Sequence, residues 1–85
     1  MKVKVLYFAS IREKIGTGAE DVDLPPGIAT IEGVRQHLRA RGGAWAEALA
    51  EGKLLRTAVN QDMVPGASPV KAGDEVAFFP PVTGG

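Results

Sequence analysis

The chain has 85 residues, of which 45% are hydrophobic, with ten Lys and Arg residues balanced by ten Asp and Glu residues, and no Cys. This length predicts one small domain with a single apolar core, and the absence of Cys excludes a disulfide framework, a thiolate metal site and a Cys nucleophile. The balanced charge argues against a nucleic-acid-binding protein, and the lack of a long apolar run or a signal-peptide pattern predicts a cytoplasmic protein with no membrane partner.

The first half of the chain predicts a β-hairpin followed by a helix. Residues 2–9 alternate in polarity and are rich in β-branched and aromatic side chains, which is typical of a strand. A single helical turn at 11–15 separates this strand from a second alternating segment at 19–24. Thr30 is a plausible helix N-cap, and apolar residues at 31, 34 and 38 give the following helix one apolar face.

The second half predicts a short helical stretch at 44–50, a third strand at 55–61 and a last strand at 75–79. This order of elements favours an α+β fold with one curved mixed sheet and a helix packed on one face. The first and last strands are expected to lie together in the middle, which is the β-grasp, or ubiquitin-like, arrangement. We expect residues 1–81 to form this domain and residues 82–85 to form a flexible C-terminal Gly-Gly tail.

Two Phe side chains are predicted to lie on the solvent face of the sheet. Phe8 shares its strand face with Lys2 and Lys4, and lysines rarely face a core. Phe79 shares its face with an acidic residue in the last strand. Two exposed Phe residues on neighbouring strands favour a docking patch, although a loop or the region around Met63 is an alternative cover for them.

The side chains indicate a poor catalyst. His37 is the only His, so no His-rich metal site is expected and a structural role is favoured. Ser10 and Ser68 have no base partner nearby in the sequence. Arg35 and Arg39 are four residues apart on a helix, which predicts a solvated face.

The C-terminal segment is the expected site of chemistry. Pro80 and Pro81 end the last strand, since proline donates no hydrogen bond and holds φ near −65°. Residues 82–85 span roughly 13 Å when extended, and Gly84 and Gly85 let the terminal carboxyl enter a channel of backbone width. Activation as an acyl-adenylate and attack by a sulfur donor would leave a thiocarboxylate there. Transfer to a lysine amine, as in protein tagging, is the alternative.

Three segments of the chain carry a family resemblance. They are VLYFA at 5–9 with IRE at 11–13, AVNQ at 58–61, and GDEVAFFPPVTGG at 73–85. Together they resemble the molybdopterin synthase small-subunit family, also known as molybdopterin converting factor subunit 1. The Phe-Phe-Pro-Pro-Val-Thr sequence before Gly-Gly separates it from the thiamine-pathway sulfur carrier and from ubiquitin-like modifiers.

The resemblance implies a non-catalytic sulfur carrier that binds no cofactor of its own. A ubiquitin-activating-enzyme-like adenylyltransferase would use ATP to activate Gly85, and a sulfur donor would convert it to the thiocarboxylate. The sulfur would then pass to cyclic pyranopterin monophosphate to build the dithiolene of molybdopterin. The large subunit would supply the catalytic side chains, in a heterotetramer of two small and two large subunits.

The resemblance also implies which residues touch the partners. The exposed patch would contain Phe8, Met63 and Phe79 and would serve both partners. The segment that leads the terminus into the large subunit, with Gly84 allowing access, would be Pro80, Pro81, Val82 and Thr83. Other functions remain open: a ubiquitin-like modifier joined to lysines through Gly85, a thiamine-pathway-type sulfur carrier, and an interaction module that uses the sheet face and leaves the tail idle.

Overall fold

The computed structural model describes residues 1–81, and the predictions for Val82, Thr83, Gly84 and Gly85 lie outside this range. The described chain forms five strands and three helices. In chain order these elements are β1 (Lys2–Tyr7), α1 (Ala9–Ile15), β2 (Ala19–Asp23), α2 (Ile31–Arg39), α3 (Gly43–Ala48), β3 (Arg56–Val59), β4 (Asp62–Met63) and β5 (Glu75–Phe79).

The strands make one mixed sheet in the order β2-β1-β5-β3-β4. The first and last strands, β1 and β5, run parallel at its centre, and every other neighbouring pair is antiparallel. Parallel neighbours need a long crossover, and here the helices between them provide it. The predicted β-grasp fold, with its first and last strands in the middle, is confirmed.

One face of the sheet and the apolar sides of the helices enclose a single core. Val3, Val5 and Tyr7 point into it from β1, as the alternation predicted, and each is at most 1% exposed. Among residues 1–81 no helix packs on the opposite face, which carries the exposed Lys2 and Lys4, and we refer to it as the helix-free face. The other buried apolar residues of the core are Ile11, Val22, Leu24, Ile31, Val34, Leu38, Ala48, Leu49, Val70, Val76 and Phe78.

Helix α2 begins where the sequence predicted it. The hydroxyl oxygen of Thr30 accepts a hydrogen bond from the backbone N–H of Gly33 at 3.1 Å, which satisfies one of the free donors of the first turn. Ile31, Val34 and Leu38 then follow at helical spacing and are buried. A side chain of this size contributes about 1.5–3 kcal/mol when fully buried, so α2 is held mainly by this face.

Arg35 differs from the solvated helix face predicted for it. Its guanidinium donates hydrogen bonds to the backbone carbonyls of Leu49, Ala50 and Lys53. These carbonyls lie in the segment that follows α3, and that of Ala50 also accepts from the backbone N–H of Lys53. Burial lowers the pKa of Arg35, but an arginine remains charged. Arg35 therefore ties α2 to the end of α3.

The third strand is shorter than predicted because a tight turn interrupts it. Asn60 and Gln61 have φ values of 50° and 72° and form a two-residue turn between β3 and β4. Asn tolerates this left-handed conformation better than most residues, and two such residues in succession suit a β-hairpin. Strand β4, which the sequence did not predict, brings Met63 back against β3.

A polar cluster joins α3 and the segment between α2 and α3 to the β1–β2 hairpin. The hydroxyl of Tyr7 donates to Glu20 at 2.7 Å and accepts from the Trp45 indole N–H at 3.2 Å, while Arg41 donates to Glu20 at 2.8 Å. The Arg41 guanidinium also lies 5.0 Å from the Trp45 ring centroid. Burial and the Glu20 carboxylate raise the pKa of Tyr7. Burial opposes the charge of Glu20, but the hydrogen bonds from Tyr7 and Arg41 outweigh this effect and lower the pKa of Glu20.

A second set of hydrogen bonds fixes the start of β5. The Asp74 carboxylate, in a residue only 8% exposed, accepts from the Asn60 side-chain amide at 3.0 Å and from the Lys71 backbone N–H at 2.8 Å. The side-chain oxygen Oδ1 of Asn60 in turn accepts a hydrogen bond from the backbone N–H of Glu75 at 3.0 Å. The bonds from Asn60 and Lys71 lower the pKa of Asp74. The charged form of Asp74 therefore holds the β3–β4 turn to the start of the central strand.

We predict that Asp74→Ala lowers the free energy of unfolding at pH 7 by about 1–3 kcal/mol, because two buried donors lose their acceptor. Folding lowers the pKa of this carboxyl, so it stabilises the native state at every pH above the pKa of about 3.9 that it has in the unfolded chain. That stabilisation is lost as the pH falls through the pKa of the carboxyl in the folded protein. The difference in free energy of unfolding between the variant and the wild type should therefore be smaller in acid than at pH 7. Urea unfolding at pH 7 and at about pH 3 would measure it.

The matched control is Asp62→Ala, which removes an exposed carboxylate from β4. It should change stability by less than about 0.5 kcal/mol, as surface substitutions usually do. An Asp74→Ala variant as stable as the Asp62→Ala variant at pH 7 would show that the hydrogen bonds to Asp74 do not stabilise the fold.

Candidate functional site

Two Phe rings stack on the helix-free face at the end of the central strands. Strands β1 and β5 pair in parallel with Tyr7 beside Phe78, so the next residues, Phe8 and Phe79, are also neighbours. Their ring centroids are 4.5 Å apart and their planes differ by 8°. The backbone N–H of Phe8 donates to the Phe78 carbonyl at 3.2 Å and continues the strand pairing past the end of β1. The pairing of the central strands thus builds the stack.

Met63 lies on the same face. It pairs with Ala58 across the β3–β4 hairpin, and Ala58 pairs with Ala77 of β5. Met63 is 55% exposed and Phe8 is 38% exposed, whereas Phe79 is half-buried. The small side chains of Ala58 and Ala77 are buried between these larger neighbours. Phe8 thus stays exposed, whereas Phe79 is half-covered, so the two rings are only partly covered.

These side chains border a shallow concavity of about 550 Å³. Its lining is mainly apolar, with one cationic residue, Arg56. We refer to this concavity and its rim as the Phe surface; its residues are Phe8, Ala9, Arg56, Met63, Phe79, Pro80 and Pro81. Soluble proteins rarely expose large contiguous apolar surfaces, and those that do often use them as interaction sites.

A second concavity, of about 680 Å³, lies on the other side of the two prolines. Pro80 and Pro81 line both concavities, so the chain leaves the fold between them. The second concavity has a more polar rim, where Lys14 and Glu47 form an exposed ion pair at 3.0 Å. It also includes Leu54, which is 81% exposed. The Phe surface is the better docking candidate because its apolar side chains are stacked and contiguous.

The remaining polar residues considered from the sequence lie apart from the Phe surface. His37 is half-buried on α2, and Ser10 lines the second concavity. Among residues 1–81, no group of three His, Asp or Glu side chains is arranged to hold a metal ion. Within the same residues, no helix is long and apolar enough to cross a membrane. The feature of the described residues that stands out is therefore the Phe surface, a candidate docking surface.

The sequence reasoning missed Arg56. It is the first residue of β3 and pairs with Phe79 of β5, so it projects from the helix-free face beside the aromatic stack. Alternation along residues 55–61 would have put Arg56 and Ala58 on one face, but only the register between β3 and β5 identifies that face as the one carrying Phe79. The signal was thus present in the sequence and could not be used without the strand pairing.

Comparison with known proteins places the chain in a family. The model of the ThiS family matches residues 5–85. The chain is 54% identical to the molybdopterin synthase sulfur carrier subunit of Escherichia coli (strain K12), covering 98% of this chain and 99% of that protein.

Two solved structures are similar in fold. One is a putative molybdopterin converting factor, subunit 1, from Pyrococcus furiosus, with a TM-score of 0.76 and 32% identity over 96% of this chain and 99% of that one. The other is SAMP1 from Haloferax volcanii, with a TM-score of 0.75 and 28% identity over the whole of both chains. Full-length similarity in sequence and in fold agrees with the resemblance seen in the C-terminal motif. The chain therefore belongs to the ThiS family and, within it, to the molybdopterin synthase sulfur carrier subunits.

Proposed function

We propose that this sulfur carrier holds the transferred sulfur as a thiocarboxylate at Gly85. The observation that carries the proposal is the near full-length kinship with sulfur carrier subunits. The chain has no Cys, so it offers no thiol on which sulfur could travel as a persulfide. At the terminal carboxyl of Gly85, sulfur can replace one oxygen and can later be removed again. Gly84, beside it, has no side chain to obstruct access.

The proposed chemistry balances in three steps. The Gly85 carboxylate attacks the α-phosphorus of ATP on a ubiquitin-activating-enzyme-like adenylyltransferase, and pyrophosphate leaves. A donor of sulfur at the oxidation level of sulfide attacks the carbonyl carbon of the acyl-adenylate, and AMP leaves with the C–O bonding pair. The thiocarboxylate sulfur then forms a C–S bond at a side-chain carbon of cyclic pyranopterin monophosphate, and the C–O bond at that carbon breaks, its oxygen leaving as water or with the phosphate group. One water then hydrolyses the acyl–sulfur bond, which leaves the sulfur on the pterin and returns Gly85 as a carboxylate, so each transfer replaces one oxygen by one sulfur with no change in oxidation level. Two such transfers make the dithiolene of molybdopterin.

The Phe surface is the proposed docking site for the proteins that act on Gly85. It adjoins Pro80 and Pro81, so a partner bound there lies next to the start of residues 82–85. These four residues span roughly 13 Å when extended, which limits how far the partner's reactive site can lie from the surface. Docking through Phe8, Met63 and Phe79 thus positions the terminus without any catalytic side chain from this chain.

The partner proposed for the last step is a large subunit. The relatives are named as subunits of a synthase, and a carrier subunit needs a second subunit in which the reaction takes place. We extend this to a heterotetramer of two small and two large subunits, in which Val82 and Thr83 lead the terminus into the large subunit. The same Phe surface would serve the adenylyltransferase at an earlier stage, so the two partners would bind in turn.

A protein-modifier function is the second candidate. The observation that favours it is the fold similarity, at 28% identity, to SAMP1, a protein that another solved structure names small archaeal modifier protein 1. In that reaction an amide bond to a lysine would replace the thiocarboxylate at Gly85. The carrier and the modifier share the activation step and differ in the final acceptor.

We predict that deleting Gly85, or replacing Gly84 with Trp, abolishes molybdopterin formation and leaves the melting temperature within about 2 °C of the wild type, far less than the several degrees that a 1 kcal/mol destabilisation would cause. Product formation and thermal unfolding should be measured on the same samples. Gly52→Trp is the control, because Gly52 is exposed and an added Cβ there meets no atom within 4 Å. Full activity after Gly85 deletion would refute the carrier mechanism.

We predict that Phe79→Ala weakens binding to the large subunit by about 1 kcal/mol or more, as loss of an interface anchor does. Its cost in stability should stay below the roughly 3–5 kcal/mol typical of a buried Phe. Calorimetric titration and urea unfolding would measure the two effects. Leu54→Ala, which removes an exposed apolar side chain outside the Phe surface, should bind like the wild type. Wild-type affinity for Phe79→Ala would remove the Phe surface from the docking proposal.

We predict that a reconstituted reaction separates the carrier from the modifier. The protein is first activated with ATP, its adenylyltransferase and a sulfur donor, and intact mass should rise by about 16 Da as sulfur replaces oxygen. Addition of the large subunit and cyclic pyranopterin monophosphate should then yield molybdopterin and return the original mass. A ladder of lysine conjugates in cell extract, with no pterin product in the reconstituted reaction, would instead support the modifier.

A further inference from the structure

Charges on the helix-free face are matched in register at one end of the sheet. Lys2 of β1 pairs with Asp23 of β2, and Lys4 pairs with Asp21. On its other side Lys4 pairs with Glu75 of β5. Directly opposed residues on one face of a sheet interact, and opposite charges there are favourable. At this end each lysine therefore has an acidic residue opposite it in register, although within residues 1–81 neither lysine forms a close ion pair.

The other end of the same face has a cation without such a match. Arg56 pairs in register with Phe79, an aromatic residue, and it lies in the lining of the Phe surface with Met63. Within residues 1–81, Arg56 belongs to no ion pair and its guanidinium does not lie over an aromatic ring. The Phe surface thus consists of apolar side chains around one exposed and unmatched positive charge.

This charge has no cost while the surface faces water, since the exposed guanidinium is hydrated. A protein that covers the Phe surface removes that water. A buried charge without a partner is strongly unfavourable, whereas a carboxylate can accept two parallel hydrogen bonds from a guanidinium. A partner that buries Phe8 and Phe79 must therefore offer an acceptor to Arg56 or bind with a large loss of affinity.

We propose that the large subunit presents an Asp or Glu carboxylate to Arg56, at the edge of an apolar site that takes up Phe8 and Phe79. This inference rests on the proposed docking function of the Phe surface and adds the chemistry of the site that recognises it. The apolar contacts supply most of the buried area. The ion pair sets the position of the sheet on its partner and rejects proteins that would place a Lys or Arg against Arg56.

The test measures binding of the full-length chain to the large subunit for Arg56→Gln, Arg56→Lys and Lys2→Gln, by surface plasmon resonance at two salt concentrations. Arg56→Gln should raise Kd about tenfold or more, mainly through faster dissociation. Arg56→Lys should recover part of this loss, because it keeps the charge but not the planar fork of donors.

The control is Lys2→Gln, which removes the same charge from the same face at a position that pairs in register with Asp23. It should bind within about twofold of the wild type, because screening weakens interactions between distant exposed charges.

The outcomes separate this inference from the docking proposal. If Arg56→Gln binds within twofold of the wild type while Phe79→Ala binds weakly, the Phe surface docks the partner but no carboxylate faces Arg56. If Arg56→Gln and Lys2→Gln lose affinity equally, the effect comes from net charge and the proposed ion pair is refuted. If neither Phe79→Ala nor Arg56→Gln changes Kd, the docking proposal itself fails. Urea unfolding of each variant checks that the fold is retained.

Discussion

The parallel pairing of β1 with β5 is the constraint on which the rest of the structure depends. It joins the first strand of the chain to the last, so it forms only when the intervening hairpin and helices have been accommodated. Because the two strands run in the same direction, they end at the same edge of the sheet. Their register brings Phe8 beside Phe79 and makes the chain leave the sheet at its centre, through Pro80.

The two faces of the central strands use aromatic residues differently. Tyr7 and Phe78 are neighbours on the inner face and are almost fully buried, whereas Phe8 and Phe79 are neighbours on the helix-free face and remain partly exposed. The inner pair stabilises the fold by removing apolar area from water. The outer pair leaves apolar area in water, which is unfavourable in the free chain and becomes favourable when a partner covers it. One strand pairing therefore provides both the centre of the core and the proposed docking surface.

The groups with perturbed pKa values serve the structure of the domain. Tyr7, Glu20, Arg35 and Asp74 all take part in hydrogen bonds that join one element to another. None of them lines the Phe surface or the concavity beside it. Perturbed groups often mark active sites, but structural networks shift pKa values as well. In this domain the side chains hold the scaffold, and the proposed chemistry rests on the terminal carboxyl.

Strand alternation and the Thr30 cap are local signals, so the sequence alone predicted β1 with its inward and outward sides, β2, α2 and β5, but it missed the turn that divides the predicted third strand into β3 and β4. The C-terminal motif also indicated the family, which the comparisons confirmed. Only the tertiary structure decided that Phe8 stacks on Phe79, that Arg56 joins them, and that Arg35 binds carbonyls beyond α3. Each of these contacts depends on strand register or helix packing between residues distant in the chain, and neither composition nor periodicity specifies which distant residues will meet.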